Sequence, residues 1–440
     1  MTRSRFFALL SVLVACHGTS DASAPDALPA PVASAAADAA LDAAPPPRCT
    51  LVPHGAPSTF GAGDELGEAV ALPDGFAIGL LAARDGGRGA AIIRLGAGSP
   101  VTTDLGLAPR DAPAPQPVIR AGELYAVAYS LTSPARVASR AVAHAPRALS
   151  VFHVGATAER LVAFPGETDP SAAYDVVAAS AKDAPIGALI AWDDEVGTPA
   201  RGIVRLASLA PDLHAVHAAS IVQVAAPAHG ETEPVDAGDP RLVARDGGYW
   251  LTYVARRAEN AKSPLPLPAG EIETPSEEAT YGWIEAVALD AEGTAKGTPH
   301  RISASTGHVV SYAIWSHDAV LEVVAKDEAK IALGGSLERI VWKGDGEPER
   351  HALVHGGVEE ELPPVVVPDV GGRAWLSFLD VKGDTELLPL PALASSAAAV
   401  HPTQEPLLSG GRILSAASGR LALAIAQGPA WSLEAATCAP

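Results

Sequence analysis

"GGYWLTYVAR" (247–256) and "GGRAWLSFLD" (371–380) share one signature: two glycines, then Trp-Leu, a hydroxyl residue, and Tyr or Phe. A glycine-led turn opening an apolar run recurs along the chain. It appears in "DGFAIGLLAA" from Asp74, "AGELYAVAYS" from Ala121, "IGALIAWDD" from Ile186 and "SGRLALAIAQ" from Ser418. "HDAVLEVVAK", from His317, has the same form with Asp-Ala in place of glycine. The anchors fall at positions 75, 122, 187, 248, 318, 372 and 419. An apolar strand precedes each turn, as in "GEAVALP", "RLVARD", "PVVVPDV" and "RILSAAS". A further strand follows, as in "AAIIRLG", "GIVRLAS", "GWIEAVALD", "LERIVWKG" and "TELLPLP". In "ALDAEGTAKG" (288–297), Asp290 and Gly293 supply hairpin chemistry.

Short strands with Gly or Pro turns and almost no helical periodicity predict an all-β fold. Four strands per repeat, returning at a near-constant interval, predict a β-propeller. Seven four-stranded blades are expected, with six or eight as the fallback. The seven tryptophans recur at about blade spacing but on different strands, so most are expected to pack between blades. The Gly-Gly pairs are similar to those of kelch repeats, without the spaced Tyr and Trp that follow in that family. There is no WD dipeptide at blade ends, no YWTD, and no Ser-x-Asp-x-Gly-x-x-Trp box as in sialidases.

The N-terminus reads as an address. Arg3 and Arg5 precede an apolar run from Phe6 to Ala15, a charged segment followed by a core too short to span a bilayer. Leu13-Val14-Ala15-Cys16 resembles the lipobox of bacterial lipoproteins. That resemblance implies cleavage before Cys16, a diacylglyceryl group on its sulfur, and attachment of the chain to a membrane. The competing site, after Ala22-Ser23-Ala24, would leave Pro25 just beyond the cut, where it is a poor substrate. His17 rather than Asp after the cysteine favours the outer over the inner membrane. Residues 1–15 are thus expected to be a signal peptide, 16–48 a lipid-anchored tether and 49–440 the propeller. The tether is built mostly from Ala, Pro, Ser and Asp, a composition too poor in large apolar groups to offset its ordering entropy. The prolines at 44–46 favour extended backbone.

The formal charge is −20, and loss of Arg3 and Arg5 with the signal makes it more negative. No basic run occurs. A nucleic-acid partner and an electrostatic membrane footprint are therefore excluded. Export to an oxidising compartment makes Cys49 and Cys438, at the two ends of the repeat region, a candidate disulfide. A ring closes when its last blade mixes strands from both termini. The final blade offers "RILSAAS", "LALAIAQ" and "AWSLEAATC", and "CTLVPHG" (49–55) supplies a fourth strand that would bring the two cysteines together.

Catalytic signals are faint. His214 and His217 in "LHAVH" stand three apart without a further ligand nearby, so no metal is expected. The acidic clusters "WDDEVG" (192–197) and "VEEEL" (358–362) lie next to turns, where solvated charge is the default, although paired carboxylates can hydrolyse glycosides or bind calcium. The proline- and glutamate-rich segment 256–280 is the longest candidate loop on the face that enters each blade. There is no G-x-S-x-G, P-loop or Rossmann fingerprint, and no cofactor is expected. The expectation is a monomeric, non-catalytic propeller anchored in the cell envelope, binding a protein or glycan on one face. The alternatives are a carbohydrate-active propeller enzyme and a purely structural envelope component. Carboxylates from two or three blades converging at the channel would favour the enzyme.

Overall fold

A computed structural model describes residues 50–439, except for 132–146, 165–172, 223–234, 258–281, 328–334, 391–407 and scattered gaps of one to five residues. Residues 1–49 lie outside the described part, so the signal peptide, Cys16, the tether and Cys49 do too.

The chain forms seven four-stranded antiparallel sheets arranged as the blades of a propeller. Strand β1 (Thr50–Phe60) comes first. Blade one is β2 (Glu65–Leu72), β3 (Gly75–Arg84), β4 (Gly87–Gly96) and β5 (Val101–Ala108). Blade two is β6 (Gln116–Arg120), β7 (Glu123–Leu131), β8 (Arg147–Val154) and β9 (Ala158–Ala163). Blade three is β10 (Tyr174–Ala178), β11 (Ala188–Val196), β12 (Arg201–Leu209) and β13 (Val216–Ile221). Blade four is β14 (Val235–Arg245), β15 (Gly248–Arg257), β16 (Gly282–Leu289) and β17 (His300–Arg301). Blade five is β18 (Val309–His317), β19 (Val320–Asp327), β20 (Gly335–Trp342) and β21 (Glu349–Val358). Blade six is β22 (Val365–Pro368), β23 (Ala374–Leu379), β24 (Asp384–Pro389) and β25 (Leu408–Ser409). Blade seven is β26 (Gly411–Ala417), β27 (Arg420–Gln427), β28 (Ala430–Ala439) and, on its outer edge, β1.

All seven anchors fall at or just before the start of the second strand of a blade, where the chain reverses at the end of the inner strand. Blade two shows why. Arg120 pairs with Glu123, leaving Ala121 and Gly122 as a two-residue loop with φ of 51° and 83°. Positive φ at both positions is the hairpin turn whose twist matches the flanking strands, and glycine adopts it without strain. The Asp290 turn also forms: its carboxylate accepts the backbone N–H groups of Glu292 and Thr294, and Gly293 has φ 83°.

The cores lie between blades rather than within them. Along β3, Phe76, Ile78 and Leu80 join a cluster with Ala422 and Leu433 of blade seven, whereas Ala77 and Leu81 join one with Leu124 and Ala126 of blade two. Successive strand residues point to opposite faces, so a strand packed on both sides must be apolar throughout. That is why the second strands read as continuous apolar runs. Trp192, Trp250, Trp283 and Trp342 are buried in such interfaces.

The ring closes as the sequence predicts, with β1 from the N-terminus completing the C-terminal blade. Thr50 pairs with Ala439 and Leu51 with Cys438. The proposed disulfide partners, Cys49 and the side chain of Cys438, lie outside the described residues.

Inner strands run from an entry face, where each blade begins, to an exit face. Third strands run the same way; second and fourth strands return. Connections that join blades, and those between second and third strands, therefore lie on the entry face.

Candidate functional site

The central channel holds a cavity of about 760 Å³ walled by the inner strands of all seven blades, reaching as far along them as Ile119, Ala178 and Ala416. Its walls are largely small aliphatic and proline side chains, among them Ala69, Pro115's neighbour Ala114, Val118, Ala313, Pro363 and Val366. A few polar groups stand among them: Glu68, Gln116, Tyr174, Asp175, Asp239, Arg241, Tyr312 and Arg412.

Three of these occupy equivalent positions. Leu72, Arg120 and Arg245 each close the first turn of their blade, by pairing with Gly75, Glu123 and Gly248. Glu68, Gln116 and Arg241 each stand four residues before them, and so at one level of the channel. Gln116 Nε2 donates to Glu68 at 2.7 Å and to Asp175 at 2.5 Å, joining blades one, two and three. Arg241 of blade four forms an ion pair with Glu68 of blade one, passing blades two and three. Asp175, 6% exposed, accepts the N–H of Val176 at 2.8 Å and that of Leu242 at 2.6 Å. The network is a polar floor crossing the channel.

Burial, and then the Glu68 charge, push the Asp175 carboxyl up towards its neutral form, against the pull of Arg241 and the N–H donors. Burial opposes the charge on Arg241, but Glu68 and Asp175 outweigh it and hold the guanidinium more firmly protonated than usual. Tyr174 and Tyr312 repeat one bracing device. Tyr174 Oη donates towards the carbonyls of Ala114 and Val127 in the preceding blade, at 3.0 and 2.7 Å. Tyr312 Oη donates to Asp239 O at 2.7 Å and lies 3.2 Å from Thr252 Oγ1. Burial raises both phenols.

A second carboxylate pair lies at the rim between blades three and four. Asp193 Oδ2 accepts the N–H of Asp239 at 3.2 Å, and Asp239 pairs with Arg256 at 2.7 Å. Asp239 has φ 52°, a left-handed backbone that costs a non-glycine residue energy and is found where surrounding structure enforces it. It follows Gly238, where a Cβ would stand 3.2 Å from Asp193 Oδ2. Burial, and then the nearby Asp239 charge, raise the Asp193 carboxyl to about 8. Asp193 Oδ1 is buried with no hydrogen-bond partner.

The acidic cluster around Trp192 is therefore not the solvated surface expected of it. Asp193 is half-buried against blade four and Asp194 pairs with Arg205; Glu195 is exposed. In the second cluster, Glu359 accepts the N–H of Leu362 at 3.0 Å, and 360–361 lie outside the described residues. His214 sits in the turn before β13 and His217 on that strand. Among the described residues no group of three or more His, Cys, Asp or Glu side chains is placed to hold a metal. Of the long loop, Arg256 and Arg257 end β15 and 258–281 are not described. Among the described residues no helix is long and apolar enough to cross a membrane.

The sequence reading missed Glu68, Gln116, Asp175 and Arg241. The available signal was a polar residue inside an otherwise apolar inner strand, as Glu68 is in "GEAVALP" and Arg241 in "RLVARD".

No protein-family model matches the chain. No curated protein matches it either. Solved structures do. The polysaccharide lyase Uly1 superposes with a TM-score of 0.50 at 10% identity, covering 88% of this chain and 91% of that one. A PL25 ulvan lyase bound to a GlcA(1-4)Rha3S unit gives a TM-score of 0.52 at 10% identity, over 89% of this chain and 98% of that one. At such identity the likeness is one of fold.

Proposed function

We propose that this chain is a lipid-anchored propeller of the bacterial cell envelope, most consistent with the outer membrane, that binds a glycan in the channel cavity without turning it over. The cavity's size and lining, aliphatic with a few fixed polar groups, suit a small polar ligand or one end of a longer one. The neighbours named for polysaccharide lyases support a saccharide as that ligand. The observation that carries binding over catalysis is the pairing of the floor. Glu68 is held by Arg241 and Gln116, and both oxygens of Asp175 accept N–H groups of the protein. A carboxyl engaged in this way positions neighbours instead of delivering a proton to a bound sugar.

One observation favours the second reading, a carbohydrate-active enzyme. Glu68 and Asp175 come from different blades and share Gln116 Nε2, so their nearest oxygens are no more than about 5 Å apart, as in a retaining glycosidase. Burial also shifts Asp175 towards the neutral form required of a general acid.

The test is to screen the purified chain and its Arg241→Ala variant against neutral and uronate-containing oligosaccharides, with product analysis of every mixture. Saturable binding that the variant weakens about tenfold or more, the scale of one lost charged hydrogen bond, with no new reducing or unsaturated ends, supports binding. Product formation abolished by Asp175→Asn would establish the enzyme instead.

A further inference from the structure

We infer that the ligand of the channel cavity is an acidic saccharide, held through a carboxylate or sulfate ester on the guanidinium of Arg412. This rests on the glycan reading above and narrows the glycan to one chemical class. The charged side chains that line the cavity are paired, with one exception. Glu65 pairs with Arg88 at 3.0 Å, Asp239 with Arg256 at 2.7 Å, and Glu68 with Arg241. Asp175 accepts two backbone N–H groups and one N–H of Gln116. The exception is Arg412. Its Nη2 donates to Leu66 O at 2.9 Å, and among the described residues no carboxylate pairs with it.

Arg412 lies on β26, the inner strand of the closing blade, and reaches across to the inner strand of blade one. Leu66 stands two residues before Glu68, so the guanidinium meets blade one within about 7 Å of strand from the polar layer. A guanidinium stays charged and carries five N–H donors in a planar fork, and a single carbonyl leaves most of them unused. Burial, opposed by the Glu65 charge, pulls Arg412 below the usual arginine range. A half-buried cation without a counterion is stabilised by an anion that reaches it. A carboxylate or sulfate matches its fork with two parallel hydrogen bonds. A tie between blades seven and one is already supplied by Arg420, which donates to the carbonyls of Leu72 and Pro73 at 2.8 and 3.1 Å.

A second group in the wall is also unsatisfied. Gln116 is 8% exposed, its Nε2 is committed to Glu68 and Asp175, and its Oε1 is buried without a hydrogen bond. That oxygen can accept a hydroxyl of the same ligand. The formal charge of −20 repels a long polyanion along the surface. One cation set in the cavity instead suits one acidic unit, a uronate or a sulfated sugar, in a glycan that is otherwise neutral.

The test measures, by calorimetry on the purified full chain, the affinity for sets of gluco-, galacto- and manno-configured disaccharides. Members of a set differ only at the sixth carbon of one sugar: hydroxymethyl, carboxylate, carboxamide or sulfate ester. The carboxylate or the sulfate member of a set is expected to bind at least about tenfold more tightly than the hydroxymethyl member, the scale of a hydrogen bond to a charged group. Preference for the carboxylate alone identifies a uronate, and preference for the sulfate alone a sulfated sugar. The carboxamide has the carboxylate's shape without its charge and should bind no better than the hydroxymethyl form. Arg412→Gln should bring the acidic member down to the neutral level. Arg412→Lys, which keeps the charge without the fork, should fall between. The comparison within the wild type needs no variant, so it decides the matter even if both substitutions unfold the chain. Neutral members that bind as tightly as acidic ones overturn the inference and leave the glycan site standing. So does an acidic preference retained by an Arg412→Gln chain that melts as the wild type does. Binding by no member of any set overturns the glycan reading, and this inference with it.

Discussion

Arg241, on the inner strand of blade four, is paired with Glu68, on the inner strand of blade one, across the channel of the propeller. Together with Gln116 and Asp175 they form a polar layer across the channel cavity. The floor's members differ in exposure, and so in what their loss should do.

The Glu68 side chain is 53% exposed, and a surface ion pair contributes little. Glu68→Ala should cost no more than about 1 kcal/mol. Asp175→Ala strands the buried N–H groups of Val176 and Leu242 and one donor of Gln116, and should cost about 3 kcal/mol or more. Urea denaturation of both variants checks the order. Equal losses would mean that Asp175 braces nothing.

Asp193 should make the fold sensitive to rising pH. Its native carboxyl is raised to about 8 from 3.8, so the folded state holds a proton that the unfolded chain has released. Its contribution is fully present below about pH 4 and is lost as the pH rises towards 8, at about 1 kcal/mol per unit. Asp193→Asn keeps an acceptor for the Asp239 N–H and cannot ionise. Its melting temperature should gain on the wild type steadily from pH 5 to pH 8. Parallel pH profiles would contradict the assignment.

Cys438 stands opposite Leu51, and Cys49 precedes Leu51 by two residues in the chain. We predict one peptide linking the two termini in non-reducing mass spectrometry. Cys49→Ser and Cys438→Ser should lower the melting temperature equally, with no further loss in the double variant, because both remove one bond. Two free thiols would leave closure to the hydrogen bonds of β1 and β28.

The lipobox predicts that Cys16→Ser leaves the precursor uncut and unlabelled by radioactive palmitate. A mature N-terminus at Pro25 would contradict it.

The blade count was legible because hairpin chemistry is local: glycines such as Gly122 and Gly247 mark reversals whatever surrounds them. Ring closure was legible because "CTLVPHG" and "AWSLEAATC" lie at opposite ends of the repeats. The floor was not. Glu68 and Arg241 are 173 residues apart, and their meeting depends on how far the inner strands of blades one and four face each other. Asp193 was misread for a related reason. It stands near a turn, as solvated acids do, but on a second strand, where a neighbouring blade covers it.

Glycan binding in the channel cavity can be watched at the inner strands themselves. Hydrogen–deuterium exchange, with and without the tightest-binding oligosaccharide of the screen, tests it most directly. The account predicts added protection at the start of the inner strands, in 65–70, 113–119 and 239–242, and none at the exit-face turns 121–122 and 246–247. Protection confined to the exit face, or no change at the inner strands despite saturating ligand, would contradict it.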